Sequence, residues 1–153
     1  MALPTSIELQ IVTPDKLVLR ESVDEVEIPG SEGYFGVLPG HTPMLASLAV
    51  GELWYRQGQE KTYLSIAFGF AEVLPDRVTI LARLAERADD IDIERAEAAK
   101  VRAEQRLASA QQQDAVDYER ARTALLKSMS RLNVSRIGVG ARTGGMKRLR
   151  NQS

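Results

Sequence analysis

The sequence predicts an α+β protein: an antiparallel β-sandwich over residues 1–86, then an antiparallel two-helix hairpin over residues 90–133. Three observations predict it. All six prolines fall at or before Pro75, and no glycine occurs between Gly69 and Gly138; each of these residues breaks regular structure for its own steric reason. Up to that break, short runs alternate apolar with polar residues. Beyond it the composition switches to Ala, Glu, Arg, Lys, Leu and Gln, which lose little side-chain freedom in a helix.

The strands come first. Ile7, Leu9 and Ile11 alternate with polar neighbours, as do Val26 and Ile28, and later Val78 and Ile80. Period-two patterning of this kind puts one face of a strand in a core. The dipeptides Pro29-Gly30, Pro39-Gly40 and Pro75-Asp76 are expected to be the turns between them. Many short strands with frequent turns describe a sandwich or barrel of about 85 residues.

The helices follow. Ile93, Ala96, Ala103, Leu107 and Ala110 fall at heptad-like spacing, with Lys100 interrupting the seam. Asp92 and Asp114 each stand where a side chain caps a helix start, with Gln111-Gln112-Gln113 just before the second. Asp89 and Asp90 are expected to complement the dipole at the start of the first helix. The second helix carries Ala121, Leu125, Ser128, Met129 and Leu132 toward its partner. Ala and Ser stand at several positions where Leu is usual, and each missing methylene forgoes about 0.8 kcal/mol of burial. Two readings stand side by side: a loosely held hairpin that leaves its docking place, or a rigid one packed through alanine. The remainder, 134–153, reads as a flexible basic tail.

The 153 residues, 44% of them hydrophobic, allow one ordinary domain or a small domain with an appendage. Cysteine is absent, which excludes disulfides, thiolate nucleophiles and cysteine-held metals. The N-terminus has neither a secretory nor a transit pattern, and no apolar run approaches the roughly 20 residues of a membrane span, so a soluble protein is expected. The net charge of −1 hides a polarity. Residues 1–88 carry 7 Lys and Arg against 12 Asp and Glu, residues 89–119 carry 4 against 9, and residues 120–153 carry 9 against none. A basic C-terminal end suits an acidic partner surface.

No catalytic constellation emerges. His41 is the lone histidine, between two prolines in Pro39-Gly40-His41-Thr42-Pro43, with no second imidazole to share a metal. Gly33-Tyr34-Phe35-Gly36 lacks the Lys-Ser/Thr ending of a phosphate loop, and Ser47, Ser65 and Ser128 sit in no nucleophile elbow. The chain is therefore expected to be no enzyme and to need no cofactor or metal.

The segment GSEGYFGVLPGHTPML, Gly30 to Leu45, resembles the signature stretch of F-type ATP synthase epsilon subunits. It is followed in order by Gly51-Glu52-Leu53, read as a turn, by a strand pair around Tyr63 to Leu74 with Gly69-Phe70, by Arg77 to Ala82, and by AERADDIDIERA leading into two helices. The resemblance runs from about Ile7 to Asn133. It implies a sandwich that docks on the gamma subunit and touches the c-ring loops through Gly30 to Thr42, with Tyr34, Phe35, His41 and Thr42 as contacts. Tyr34 departs from the acidic residue of some bacterial relatives, which puts an ion-pair contact with the ring in doubt. The resemblance also implies a hairpin that exchanges between a compact form and an extended, hydrolysis-blocking one. In the latter, Arg120, Arg122, Lys127, Arg131 and Arg136 would meet an acidic loop of the beta subunits, in the head that these form with the alpha subunits. A central-stalk role at the cytoplasmic side of a bacterial plasma membrane follows, with membrane contact only through the complex.

Ile91 to Ala96, IDIERA, matches the pattern that the family associates with ATP. The resemblance implies Glu86, Ile91, Asp92, Arg95, Arg102, Arg120, Lys127 and Arg131 around a regulatory nucleotide. Arg95 and Arg102 lie two turns apart on one helix face, roughly 10 Å along the axis. Lysine at 127 gives up the planar fork of an arginine. Against this stands a plain structural use, Asp92 as a cap with Arg95 one turn on. The alternative function is a stand-alone sandwich adaptor whose basic tail binds nucleic acid or acidic protein. The absence of aromatics after residue 119 leaves nothing there for base stacking.

Overall fold

The structure, a computed structural model, describes residues 3–110 and 114–150, with side chains described for 3–109 and 114–138. The chain divides into two compact units, residues 1–86 and 87–153.

Seven strands build the first unit: β1 (Ile7–Val12), β2 (Leu17–Val23), β3 (Glu25–Gly30), β4 (Gly33–Val37), β5 (Met44–Gln57), β6 (Glu60–Val73) and β7 (Arg77–Arg87). They hydrogen-bond in the order β2-β1-β7-β6-β5-β3-β4. Inward faces from all seven strands meet in one hydrophobic cluster, in which Ile7, Leu9, Ile11, Val26, Ile28, Val78 and Ile80 are fully buried. The alternating runs of the sequence therefore mark the core face, as period-two patterning requires. One pairing departs from the antiparallel expectation. β1 runs parallel to β7, from Glu8↔Arg77 to Val12↔Leu81, so the first and last strands of the unit lie side by side.

The long strands β5 and β6 pair without interruption of register from Met44↔Val73 to Gln57↔Glu60. Their buried residues nevertheless change phase midway, from Leu48 to Gly51, Leu53 and Tyr55 on β5, and from Leu64 and Ile66 to Ala71 and Val73 on β6. The change on β6 falls at Phe68 (φ 60) and Gly69 (φ 126). A Cβ on Gly69 would overlap the Leu81 carbonyl of β7, so only glycine lets the strands approach there. Both strands turn over at the same rungs, and the ladder between them survives.

Two expected turns fall elsewhere. Pro29-Gly30 is the end of β3, and the reversal comes at Ser31-Glu32. Gly51-Glu52-Leu53 lies inside β5 rather than in a turn; Gly51 is small because Pro29 and Tyr34 crowd it. Pro75-Asp76 does turn the chain, closed by the Leu74 N–H donating to the Arg77 carbonyl at 2.8 Å. At the tip of the β5–β6 hairpin, Gly58 (φ 62) donates its N–H to Asp24 Oδ2 at 2.7 Å. Arg56 pairs there with Glu25 at 3.2 Å.

In the second unit a 3-10 turn, Ala88–Asp90, precedes α1 (Ile93–Ala110) and α2 (Ala115–Arg150). Asp89 and Asp90 thus belong to a separate turn before α1. Asp92 caps α1, its Oδ1 accepting from the Arg95 N–H at 3.1 Å, and Asp114 caps α2 through the Val116 N–H at 2.9 Å. The helices pack along each other, and Gly138 near the far part of α2 abuts Ala88, so they are antiparallel. Their buried residues are small: Ala96 and Ala103 on α1, and Ala121, Ser128 and Ser135 on α2, with Leu132 and Val134. Ile93 and Met129, expected in the seam, are 43% and 42% exposed. Gln111–Gln113 and the side chain of Ala110 lie outside the described residues.

α2 does not stop at Asn133. It runs on to Arg150, through residues expected to form a flexible tail. Nothing after Pro75 lacks a backbone donor, and an interior glycine costs a helix only about 1 kcal/mol against alanine. Gly138 has a packing reason as well, because a Cβ there would stand 2.6 Å from that of Ala88.

Candidate functional site

The Gly-rich segment Gly30 to Thr42 is held at several points. The Ser31 N–H donates to the Ser47 carbonyl at 2.8 Å, after which Gly33 takes φ +125, a conformation open to glycine and costly to others. β4 then alternates. Tyr34 points outward and is half exposed, while Phe35 packs against the core. The Tyr34 hydroxyl accepts from the Glu52 N–H at 3.2 Å and donates to Glu52 Oε2 at 3.0 Å. Loss of solvent is the main cause that raises the Tyr34 pKa above its ordinary 10.0; the Glu52 N–H acts the other way, and the Glu52 and Glu27 carboxylates add to the rise.

The following turn is anchored to its neighbour. The Gly40 N–H donates to the Pro75 carbonyl at 2.8 Å, and the His41 N–H to that of Leu38 at 3.2 Å. His41 Nδ1 lies 2.7 Å from the Thr42 carbonyl. A carbonyl only accepts, so Nδ1 carries the proton. Thr42 is exposed. Of the four predicted partner contacts on this unit, Tyr34 and Thr42 are displayed at the surface, His41 is half-buried, and Phe35 turns toward the core. Next to them, sequence reasoning passed over an outward aromatic pair, Trp54 opposite Tyr63, with Lys61 Nζ 4.1 Å from the Trp54 ring centre. Only the alternation within β5 and β6 could have signalled it.

A cleft of about 630 Å³ beside β1 and β2 is lined by residues that include Glu8, Arg20, Glu21, Ser22 and Asp76. Arg20 is paired with Glu8 at 2.8 Å there, and none of the predicted residues lines it. Among the described residues no group of His, Asp and Glu gathers to hold a metal. No described helix is long and apolar enough to cross a membrane.

The residues predicted around a nucleotide are spread over both units. Glu86 ends the first unit. In the second, Ile91 is buried just before α1, and the carboxylate of Asp92 serves the helix cap. Arg95 and Arg102 are exposed on α1, Arg120 is exposed on α2, and Lys127 and Arg131 are half-buried one turn apart on α2, with Arg131 Nε inside. Arg122 lies 3.9 Å from Glu119, and Arg136 is exposed. The four arginines and Lys127 supply the charge a polyanion needs.

Comparison with known proteins gives the same two-part division. Residues 6–88 match the family model for the ATP synthase delta/epsilon chain β-sandwich domain, and residues 89–136 that for its long α-helix domain. The ATP synthase epsilon chain of Koribacter versatilis is 53% identical over 69% of this chain and 74% of its own length. That of Syntrophobacter fumaroxidans is 61% identical over 67% and 76%. Among solved structures, a chain of the Euglena gracilis mitochondrial ATP synthase, seen by cryo-EM in its OSCP/F1/c-ring assembly, superposes with a TM-score of 0.73. It is 28% identical, over 85% of this chain and 81% of that one. A chain from the central stalk and c-ring of the Tetrahymena thermophila enzyme shares the fold at a TM-score of 0.51 and 16% identity, over 86% and 95%. With both domain models matched in order over most of its length, the chain belongs to the ATP synthase delta/epsilon family.

Proposed function

We propose that this chain works as the epsilon subunit of an F-type ATP synthase, a non-catalytic component of the central stalk. The sandwich joins the gamma subunit and the c-ring, and the helical unit restrains ATP hydrolysis by reaching the catalytic head. Its place is peripheral, on the cytoplasmic side of a bacterial plasma membrane, held there through the complex. The observation that carries this reading is the unbroken succession of both family domains over residues 6–136, in relatives named epsilon chain at 53% to 61% identity. The run of nine basic and no acidic residues after Glu119 supports the second role, since such a surface seeks an acidic one.

Removing residues 90–153 tests it. The remaining sandwich is expected to bind gamma, while the assembled complex hydrolyses ATP without restraint. Hydrolysis unchanged by the deletion would refute the regulatory half.

A regulatory ATP is part of the same proposal. The cationic residues fit a polyanion, with Arg95 and Arg102 exposed on α1 and Lys127 and Arg131 on α2; Asp92 contributes as the cap that fixes where α1 begins. Bound nucleotide would favour the compact form by mass action, by about 4 kcal/mol at 1,000 times its dissociation constant. Calorimetric titration with ATP should give a saturable signal that Arg95→Ala weakens at least about tenfold, the scale of one lost charge-assisted bond. A flat trace from the unaltered chain removes the nucleotide.

A further inference from the structure

Tyr34 and Glu52 belong to strands that do not pair. In the sheet order, β3 lies between β4 and β5, yet the Tyr34 hydroxyl crosses β3 to make two hydrogen bonds with Glu52, one to its backbone and one to its carboxylate. The β3–β5 ladder explains why the crossing occurs at this rung. Its register breaks between Glu27, opposite Trp54, and Gly30, opposite Leu48. Within that gap the β3 residue facing Tyr34 is Pro29. The phenol supplies an acceptor to the Glu52 N–H where the ladder is interrupted. Room for it exists because position 51 is glycine: a Cβ there would collide with the Tyr34 hydroxyl and stand 2.8 Å from Pro29 Cβ.

The segment that this contact restrains needs restraint. Gly30, Gly33 and Gly36 punctuate it, and around Gly33 and Gly36 the space for a Cβ is open, so packing at those two positions does not set the backbone. Besides the β3–β4 ladder and the pairing of Gly30 with Leu48, tethers from β5 include the Ser31 N–H on the Ser47 carbonyl and the Tyr34 hydroxyl on Glu52.

We propose that Tyr34 is a positioning residue, latched to Glu52 across β3 so that the Gly30–Gly36 segment is held in the shape that meets the rotor. It acts through the backbone it fixes and not by touching the partner. The inference rests on the reading of Gly30–Thr42 as rotor-facing.

The test uses the full chain and measures its affinity for the purified gamma–c-ring assembly, together with amide hydrogen exchange along β4 and at Glu52. Tyr34→Phe keeps the ring and removes the hydroxyl. It is expected to speed exchange at the Glu52 amide and through β4, and to weaken binding about tenfold, the scale of one to two hydrogen bonds. Glu52→Gln retains the backbone N–H and a side-chain acceptor and is expected to stay within about twofold of the unaltered chain, a rescue by the conservative change. Glu52→Ala should fall between, and the Tyr34→Phe/Glu52→Ala pair should bind no worse than Tyr34→Phe alone, because one latch is lost only once. Normal binding by Tyr34→Phe overturns the latch. So do additive losses with an unchanged Glu52 amide, which would make Tyr34 a direct contact. Failure of the unaltered chain to bind would instead overturn the rotor reading, and the positioning role with it.

Discussion

Gly69 carries more of the sandwich than its size suggests. It sits at φ +126 with the Leu81 carbonyl where a Cβ would be, so alanine meets both a forbidden backbone region and a collision. Strain of the first kind alone costs about 1–3 kcal/mol. Gly69→Ala is expected to lose at least about 3 kcal/mol, measured as a fall in the urea midpoint of the sandwich at unchanged slope; a loss below 1 kcal/mol would mean that β7 gives way easily. The sequence exposed Gly69 as the last glycine before a long gap and as part of the Gly69-Phe70 pair in the resembling strands. It offered no hint that Leu81, on another strand, is the reason. Asp92 and Asp114 are the opposite case. A cap is a local device read from the residues that follow it, and both were legible before any coordinates. Gly51 was misread as a turn because glycine signals either a reversal or a close approach, and only Pro29 and Tyr34, far off in sequence, decide between them.

Helix packing sets the character of the second unit. Ala96 and Ala103 on one side, and Ala121, Ser128 and Ser135 on the other, recur every seven residues and are buried, so the helices meet through short side chains. Ser128 and Ser135 turn their hydroxyls back to the carbonyls of Ala124, at 2.8 Å, and Leu132, at 2.9 Å, so each of these two buried hydroxyls is satisfied within its own helix. Ala103→Leu is expected to force the helices apart at a cost of about 1–3 kcal/mol, the range for overpacking. Hydrogen exchange should quicken in α1 and α2 while the strands keep their protection; equal loss in both units would show them unfolding together. The heptad spacing of the small residues was visible in the sequence, and so was the thinness of the seam. Ile93 and Met129 were wrongly assigned to it, because a broad apolar stripe does not say which of its flanks meets a partner when the contact is made by alanine. The end of α2 was misjudged for another reason: glycine disfavours a helix only by about 1 kcal/mol, Lys and Arg favour one, and no proline is present to end it.

Across the molecule, charge is sorted by position: acidic residues outnumber basic ones up to Glu119, and only basic residues follow. If the helical unit restrains hydrolysis by meeting an acidic surface, the restraint should weaken as salt rises, because the Debye length shortens from about 8 Å at 0.15 M to 3 Å at 1 M. Hydrolysis by the full complex, compared with one lacking residues 90–153, is expected to converge with it at high salt; a gap that does not narrow would assign the restraint to apolar contact. The division of the chain was legible because Pro and Gly run out just before the last strand, β7, and neither returns until Gly138. The pairing of β1 with β7 was not, since no local pattern records a partner some seventy residues away. That pairing has a consequence for synthesis. As the polypeptide leaves the ribosome, β1 can zip only to β2, and its other edge waits until β7 has emerged. Completion of the sheet is thus a late, long-range event, and the helical unit is translated onto an adaptor whose last seam has only just closed.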